Sequence, residues 1–191
     1  MRKRHLPEAN PQVRPVGARA LKSAIDTLRP YLFGCEALDL FAGQGRFGGE
    51  ALKEGATRVV FVEKDRGTAQ ALREAISKFS DRSDVQCKDA LLYLEMARRQ
   101  SLHFDVVFAD PPFPLWNTAF QLSLFGAVAA CLSPGAIFLV KHKRRMVASV
   151  TFPGLSLWKD SLFGESRLIY YRYGESEAQR ETPREETSDP P

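Results

Sequence analysis

From Ala37 to Val140 the chain alternates short apolar runs with stretches that repeat apolar residues at helical spacing. That alternation constrains the fold more than any other feature. Ala37 to Phe41, Arg58 to Val62, Val85 to Cys87, Phe104 to Ala109 and Ala136 to Val140 read as strands. Phe47 to Lys53, Arg66 to Phe79, Leu91 to Arg98 and Phe120 to Leu132 read as the helices between them. In the second of these, Ala69, Leu72, Ala75, Ile76 and Phe79 should point inward. A further helix carrying Leu21, Ile25, Leu28 and Leu32 precedes the first strand, with Pro30 near its end. Leu155 to Ser161 and Arg167 to Tyr173, joined by Phe163-Gly164-Glu165, read as an antiparallel hairpin. Strands linked by helical crossovers lie parallel, with helices on both faces. The expected fold is therefore α/β: a Rossmann-like, doubly wound, mostly parallel seven-stranded sheet ending in an antiparallel hairpin.

Composition narrows the class. The 191 residues suit one domain with a full core, and 44% hydrophobic with 26% charged residues is the balance of a water-soluble protein. Cys35, Cys87 and Cys131 are scattered, so neither a disulfide framework nor a zinc site is expected, and all three should be small core residues of a reduced compartment. No run reaches membrane-spanning length, and no apolar segment follows the basic N-terminus, so a cytoplasmic protein is expected. The net charge of +4 conceals an asymmetry: residues 175–191 hold six acids against two arginines, which leaves +8 on residues 1–174. The sequence divides into a basic, proline-containing arm at 1–15, one domain at 16–174 and an acidic tail at 175–191 expected to be disordered. A basic fold points weakly to a polyanionic partner, though solvated surface charge explains such an excess as well.

In open parallel sheets ligands bind beyond the carboxyl ends of the strands. Those ends are chemically distinctive here. The fourth strand runs into Asp110-Pro111-Pro112-Phe113, where two prolines end the ladder and leave a stiff loop. A carboxylate, a backbone carbonyl and an aromatic ring converge on it. Together they can hold a planar base by its exocyclic amine, two acceptors for the NH₂ and a face for the ring. The first strand ends in Asp39 and then Gly43-Gln44-Gly45-Arg46-Phe47-Gly48, a glycine turn opening a helix, and Glu63 follows twenty residues on. Such a turn brings backbone close to a ligand, and the helix N-terminus favours negative charge. A dinucleotide pyrophosphate and the carboxylate of S-adenosylmethionine both fit, and Glu63 would accept ribose hydroxyls in either case. Asp39 favours the second, because it would repel a pyrophosphate and attract an ammonium. A nicotinamide enzyme would also need a substrate domain for which no sequence remains after residue 174. Asp89, at the third strand end, could receive the adenine amine or simply cap the helix from Ala90. No metal is called for.

Leu38-Asp39-Leu40-Phe41-Ala42-Gly43-Gln44-Gly45, Phe61-Val62-Glu63-Lys64-Asp65 and Val107-Phe108-Ala109-Asp110-Pro111-Pro112-Phe113 resemble the motifs of class I S-adenosylmethionine-dependent methyltransferases. More narrowly, with Gly164 to Tyr171 as the last strand, the chain resembles the RsmD family of 16S rRNA guanine-N2 methyltransferases. It departs from that family where Arg14-Pro15-Val16 replaces the usual Arg-Pro-Thr, and where a short arm replaces an N-terminal hairpin. The resemblance implies cofactor contacts at Asp39, Phe41, Ala42, Gly43, Gly45, Glu63, Lys64 and Asp89. It implies catalysis by Asp110, Pro111 and Phe113, with 16S rRNA or an assembling small ribosomal subunit as partner and a monomeric enzyme. Substrate contacts are expected from Pro112 and Phe113, and phosphate contacts from Arg14 and from Lys141, Lys143 and Arg144 at the rim after the fifth strand. Arg2, Lys3, Arg4, Arg19 and Arg145 could add to them. His142 should share that surface, Trp116 should flank the base pocket or pack in the core, and Trp158 should belong to the hairpin core. The other readings are adenine-N6 or cytosine-N4 methylation, a nicotinamide oxidoreductase, and an idle RNA-binding module on the same fold.

Overall fold

The computed structural model describes residues 17–144 and 152–174. The arm at 1–15, Arg145 and the tail at 175–191 lie outside the described residues. Seven strands form one sheet: β1 (Glu36–Leu40), β2 (Arg58–Val62), β3 (Ser83–Gln86), β4 (Phe104–Ala109), β5 (Leu132–Lys143), β6 (Leu155–Phe163) and β7 (Ser166–Tyr173). Their order is β3-β2-β1-β4-β5-β7-β6, with β7 antiparallel to both of its neighbours and the other pairings parallel. This is the mostly parallel sheet with a terminal hairpin that the alternation required.

Period-two alternation along the strands builds two cores. Leu38, Leu40, Val60, Val62, Val107, Phe138 and Val140 face α4 (Ala90–Arg99) and α5 (Thr118–Ala129). Ala37, Val59, Phe61, Val106, Phe108, Ile137 and Leu139 face α1 (Ala18–Leu32), α2 (Arg46–Lys53) and α3 (Arg66–Ala75). Apart from Asp39 in β1 and Asp105 in β4, the central strands are thus apolar on both sides, which explains the near-continuous apolar runs in the sequence.

Several boundaries differ from expectation for identifiable reasons. α3 stops at Ala75, which is exposed, and a 3₁₀ turn over Ser77–Phe79 takes its place. α5 starts at Thr118 because the Asn117 side chain accepts from the Phe120 N–H, a cap that supplies one of the helix's orphan donors. Ser133 to Ala136 bulge out of β5 between the pairs Phe104–Leu132 and Val106–Ile137, with Gly135 at φ 77°. Cys35 and Cys131 are buried, but Cys87 is exposed at the end of the edge strand β3. Trp158 lies on the other edge strand, β6, and is 36% exposed rather than buried in a hairpin core. It meets Tyr31 and Tyr170 edge-on, and the Arg172 guanidinium lies 4.4 Å from its ring centre.

Candidate active site at the carboxyl edge of the sheet

β1 and β4 are hydrogen-bonded neighbours in parallel register, with Leu40 opposite Ala109. The two turns that follow therefore leave the sheet side by side. The Asp110 N–H donates to the Leu40 carbonyl at 3.4 Å, so the glycine turn and the diproline turn meet where the strands end.

The glycine turn is built from conformations that side chains resist. Phe41 has φ 59°, a left-handed backbone rarely adopted outside glycine, and it bends the chain out of β1. Gly43 and Gly45 follow at φ 54° and 64°. A Cβ on Gly45 would come within 2.3 Å of Leu72 Cδ1, so the helices leave no room for one. Gly48 is equally confined, with its would-be Cβ 2.3 Å from the Phe61 ring.

Two carboxylates lock this turn from below. Glu63 Oε2 accepts from the Gly43 N–H at 2.9 Å and Oε1 from the Asp65 N–H at 2.8 Å. Asp39, 1% exposed, accepts from the Gly48 N–H at 2.9 Å through Oδ2. Its Oδ1 is buried with no hydrogen-bond partner. Burial drives the Asp39 carboxyl up to about 8; the Gly48 N–H opposes this, and the nearby Asp110 and Glu63 carboxylates add to it. A buried carboxylate oxygen with an open lone pair and no cation against it is an acceptor that an ammonium group would satisfy. Asp89 caps α4, its Oδ1 accepting from the Leu91 and Leu92 N–H groups; Oδ2 takes part in neither bond. Lys64 is exposed beside Glu63.

Across from the glycine turn Phe113 is half-buried at the start of a 3₁₀ turn, with the Lys143 Nζ 5.0 Å from its ring centre. Pro111 is buried and Pro112 exposed.

A profile of the family described as "Conserved hypothetical protein 95" matches residues 1–172. The ribosomal RNA small subunit methyltransferase D of Haemophilus influenzae is 35% identical over 147 residues, covering 75% of each chain. The chain belongs to this family of ribosomal RNA methyltransferases. Among solved structures, a candidate methylase from Haemophilus influenzae is 29% identical with a TM-score of 0.71, covering 84% of this chain and 100% of that one. A hypothetical protein from Thermus thermophilus is 26% identical with a TM-score of 0.71, over 85% and 90% of the two chains.

Within this family fold the fifth strand end departs from expectation. β5 continues through Lys143 because β7 pairs with it on the far side, Lys141 opposite Leu168 and Lys143 opposite Ser166. Lys141 is therefore not a rim residue available to phosphate. It is buried, and its Nζ donates to Asp110 Oδ2 at 2.8 Å. Lys143 and Arg144 are exposed as expected, while Arg14 lies outside the described residues. His142 is fully buried rather than on the surface, and neither ring nitrogen has a partner. It stacks on Trp116, centroids 4.1 Å apart at 22°, and burial pushes its pKa down to about 4. Trp116 thus packs in the core, directly behind the diproline loop. Sequence reasoning missed both the ion pair and the stack. The signal was the alternation Ile137, Leu139, Lys141 against Phe138, Val140, His142, which runs on unbroken into the basic triplet. Among the described residues no group of three or more His, Cys, Asp or Glu side chains could hold a metal, and no helix is long and apolar enough to cross a membrane.

Proposed function

We propose that this chain transfers a methyl group from S-adenosylmethionine to the exocyclic N2 of a guanine in small-subunit ribosomal RNA. The observation that carries the reading is the adjacency of β1 and β4, which sets the glycine turn and the Asp110-Pro111-Pro112-Phe113 loop at one edge. The residues fit the cofactor: Asp39 Oδ1 would take its ammonium, Glu63 its ribose hydroxyls, and the left-handed glycines give its backbone close approach. Phe41, Ala42 and Lys64 would line that half, and Asp89 Oδ2 would face the adenine amine. When bound, the cofactor supplies a sulfonium-activated methyl as the electrophile.

The difficulty lies with the nucleophile, because an aromatic amine delocalises its lone pair into the ring. Asp110 Oδ1 and the Pro111 carbonyl would accept one N–H each. Both bonds strengthen as the nitrogen gains positive charge, which is where stabilisation accelerates the step. As the amine gives up a proton, Asp110 is the group placed to take it. Phe113 would stack on the extruded base beside Pro112, with Lys143 and Arg144 on neighbouring phosphates. Fixing both reactants in one crevice supplies much of the remaining rate. The chain would act as a single cytoplasmic subunit.

Tritiated-methyl transfer to unmodified 16S rRNA, and to small subunits reconstituted from it, tests the reading. Nucleoside mass spectrometry of the product should show N2-methylguanosine. N6-methyladenosine or N4-methylcytidine would overturn the guanine assignment, and no transfer to either substrate would overturn the reading as a whole.

A further inference from the structure

Lys141 is out of place for a lysine. It follows Ile137 and Leu139 on a face where an aliphatic side chain would pack, and its side chain is 4% exposed. Lysine is almost never fully buried unless paired, and its pair here is the one carboxylate that faces the proposed base. Of the two carboxylate oxygens the Nζ engages Oδ2, and it also lies 6.0 Å from the Phe113 ring centre; among the described residues nothing bonds Oδ1, and the Asp110 side chain keeps 15% exposure.

The charges around Asp110 come from three strands. Asp39 on β1 faces it, Glu63 just beyond β2 acts on Asp39 in turn, and Lys141 approaches from β5. The next basic groups, Lys143 over Phe113 and Arg167 paired with Asp160, are committed elsewhere. Burial disfavours a charged Asp110, and among the described residues Lys141 is the cation set against it.

We propose that Lys141 is a positioning residue for methyl transfer: its ammonium clamps Oδ2 of Asp110, so that Oδ1 alone is presented to the base amine. The inference rests on the reading of Asp110 as the amine's acceptor. A carboxylate pinned at one oxygen cannot turn its plane away from the substrate, so the ordering is complete before the base arrives. Without the cation nothing would offset the burial that already favours the protonated form, and a protonated acid is a poorer acceptor for a developing positive charge.

Two variants and two readouts test this. Lys141→Met removes charge and donor; Lys141→Gln keeps a donor for Oδ2 without the charge. The Asp110 carboxyl is titrated by carbon NMR in the RNA-free protein, and kcat and KM are followed across pH 5 to 9 on unmodified 16S rRNA. In Lys141→Met the Asp110 titration should move up by about 1–3 units, the effect of losing an opposite charge in contact. The acid limb of kcat should move with it, each unit reading as a tenfold loss below the limb. S-adenosylhomocysteine affinity should stay within about threefold. Lys141→Gln should show the raised limb yet recover most of the alkaline plateau. An unmoved Asp110 titration in both variants, or a wild-type kcat profile in Lys141→Met, would overturn the clamp. Asp110→Ala separates the two ideas. If it keeps turnover, the acceptor reading itself fails; if it loses turnover while Lys141→Met does not, only the clamp fails.

Discussion

The two halves of the crevice hold their carboxylates by different means. On the β1–β2–β3 side, Asp39, Glu63 and Asp89 each accept from backbone N–H groups, so their positions are set by the fold. On the β4–β5 side, Asp110 is held by a side-chain ammonium. A backbone donor is carried by the turn itself, whereas the ammonium clamp depends on one buried side chain and can be removed by substitution without touching the backbone.

The sharpest way to break the comparison is Asp110→Ala. Turnover should fall by about 10²–10³, as when one charge-stabilising group is removed, while calorimetric affinity for S-adenosylhomocysteine stays within about threefold. A parallel loss of both would mean that the halves are not separable. Gly45→Ala attacks the other side. A methyl group at φ 64°, 2.3 Å from Leu72 Cδ1, should lower stability by about 1–3 kcal/mol and weaken S-adenosylhomocysteine at least tenfold, read by thermal melting and calorimetry.

Asp39 sharpens the contrast through pH. Its folded-state pKa, about 8, lies above the ordinary 3.8, so the folded form holds the proton more tightly than the unfolded chain. Its contribution is therefore fully present below pH 4 and drains away as pH rises toward 8. Asp39→Asn should remove that slope and leave the variant more stable at pH 9 by about 2 kcal/mol in urea unfolding. The same variant should lose cofactor affinity. Cofactor binding to the unaltered protein near pH 7 should release a proton, visible as a buffer-dependent heat. The smallest effect is expected from Asp89→Ala, which removes the α4 cap at about 1 kcal/mol and an acceptor for the adenine amine, so that S-adenosylhomocysteine should bind about threefold to tenfold more weakly by calorimetry.

The fold was legible because its signal is redundant. β2 and β4 begin and end at the residues the sequence marks, and Pro111 stops β4 by chemistry that context cannot override. The convergence of Asp39, Gly43, Glu63 and Asp110 followed from topology, since parallel strands deliver all their carboxyl ends to one edge. What stayed hidden depended on partners far along the chain. Lys141, after five apolar residues, looks like the start of an exposed rim. Only the pairing with β7 extends the strand past it, and only Asp110, 31 residues away, makes its burial tolerable. Trp158 misled for the converse reason: a bulky apolar residue in a hairpin is core or surface according to whether another strand covers it, and β6 is an edge.

The Trp116–His142 stack gives the protein a built-in optical probe. The chain has two tryptophans, and Trp158 sits on the outermost strand away from the crevice, so Trp158→Phe would leave an emission signal from one indole. Trp116 caps the 3₁₀ turn Phe113–Leu115 that follows the two prolines, and its stacked imidazole, a quencher once protonated, is uncharged well below neutral pH. Any displacement of that loop by an arriving nucleotide would change the overlap of the two rings. Substrate entry could then be timed by stopped-flow fluorescence without attaching a dye.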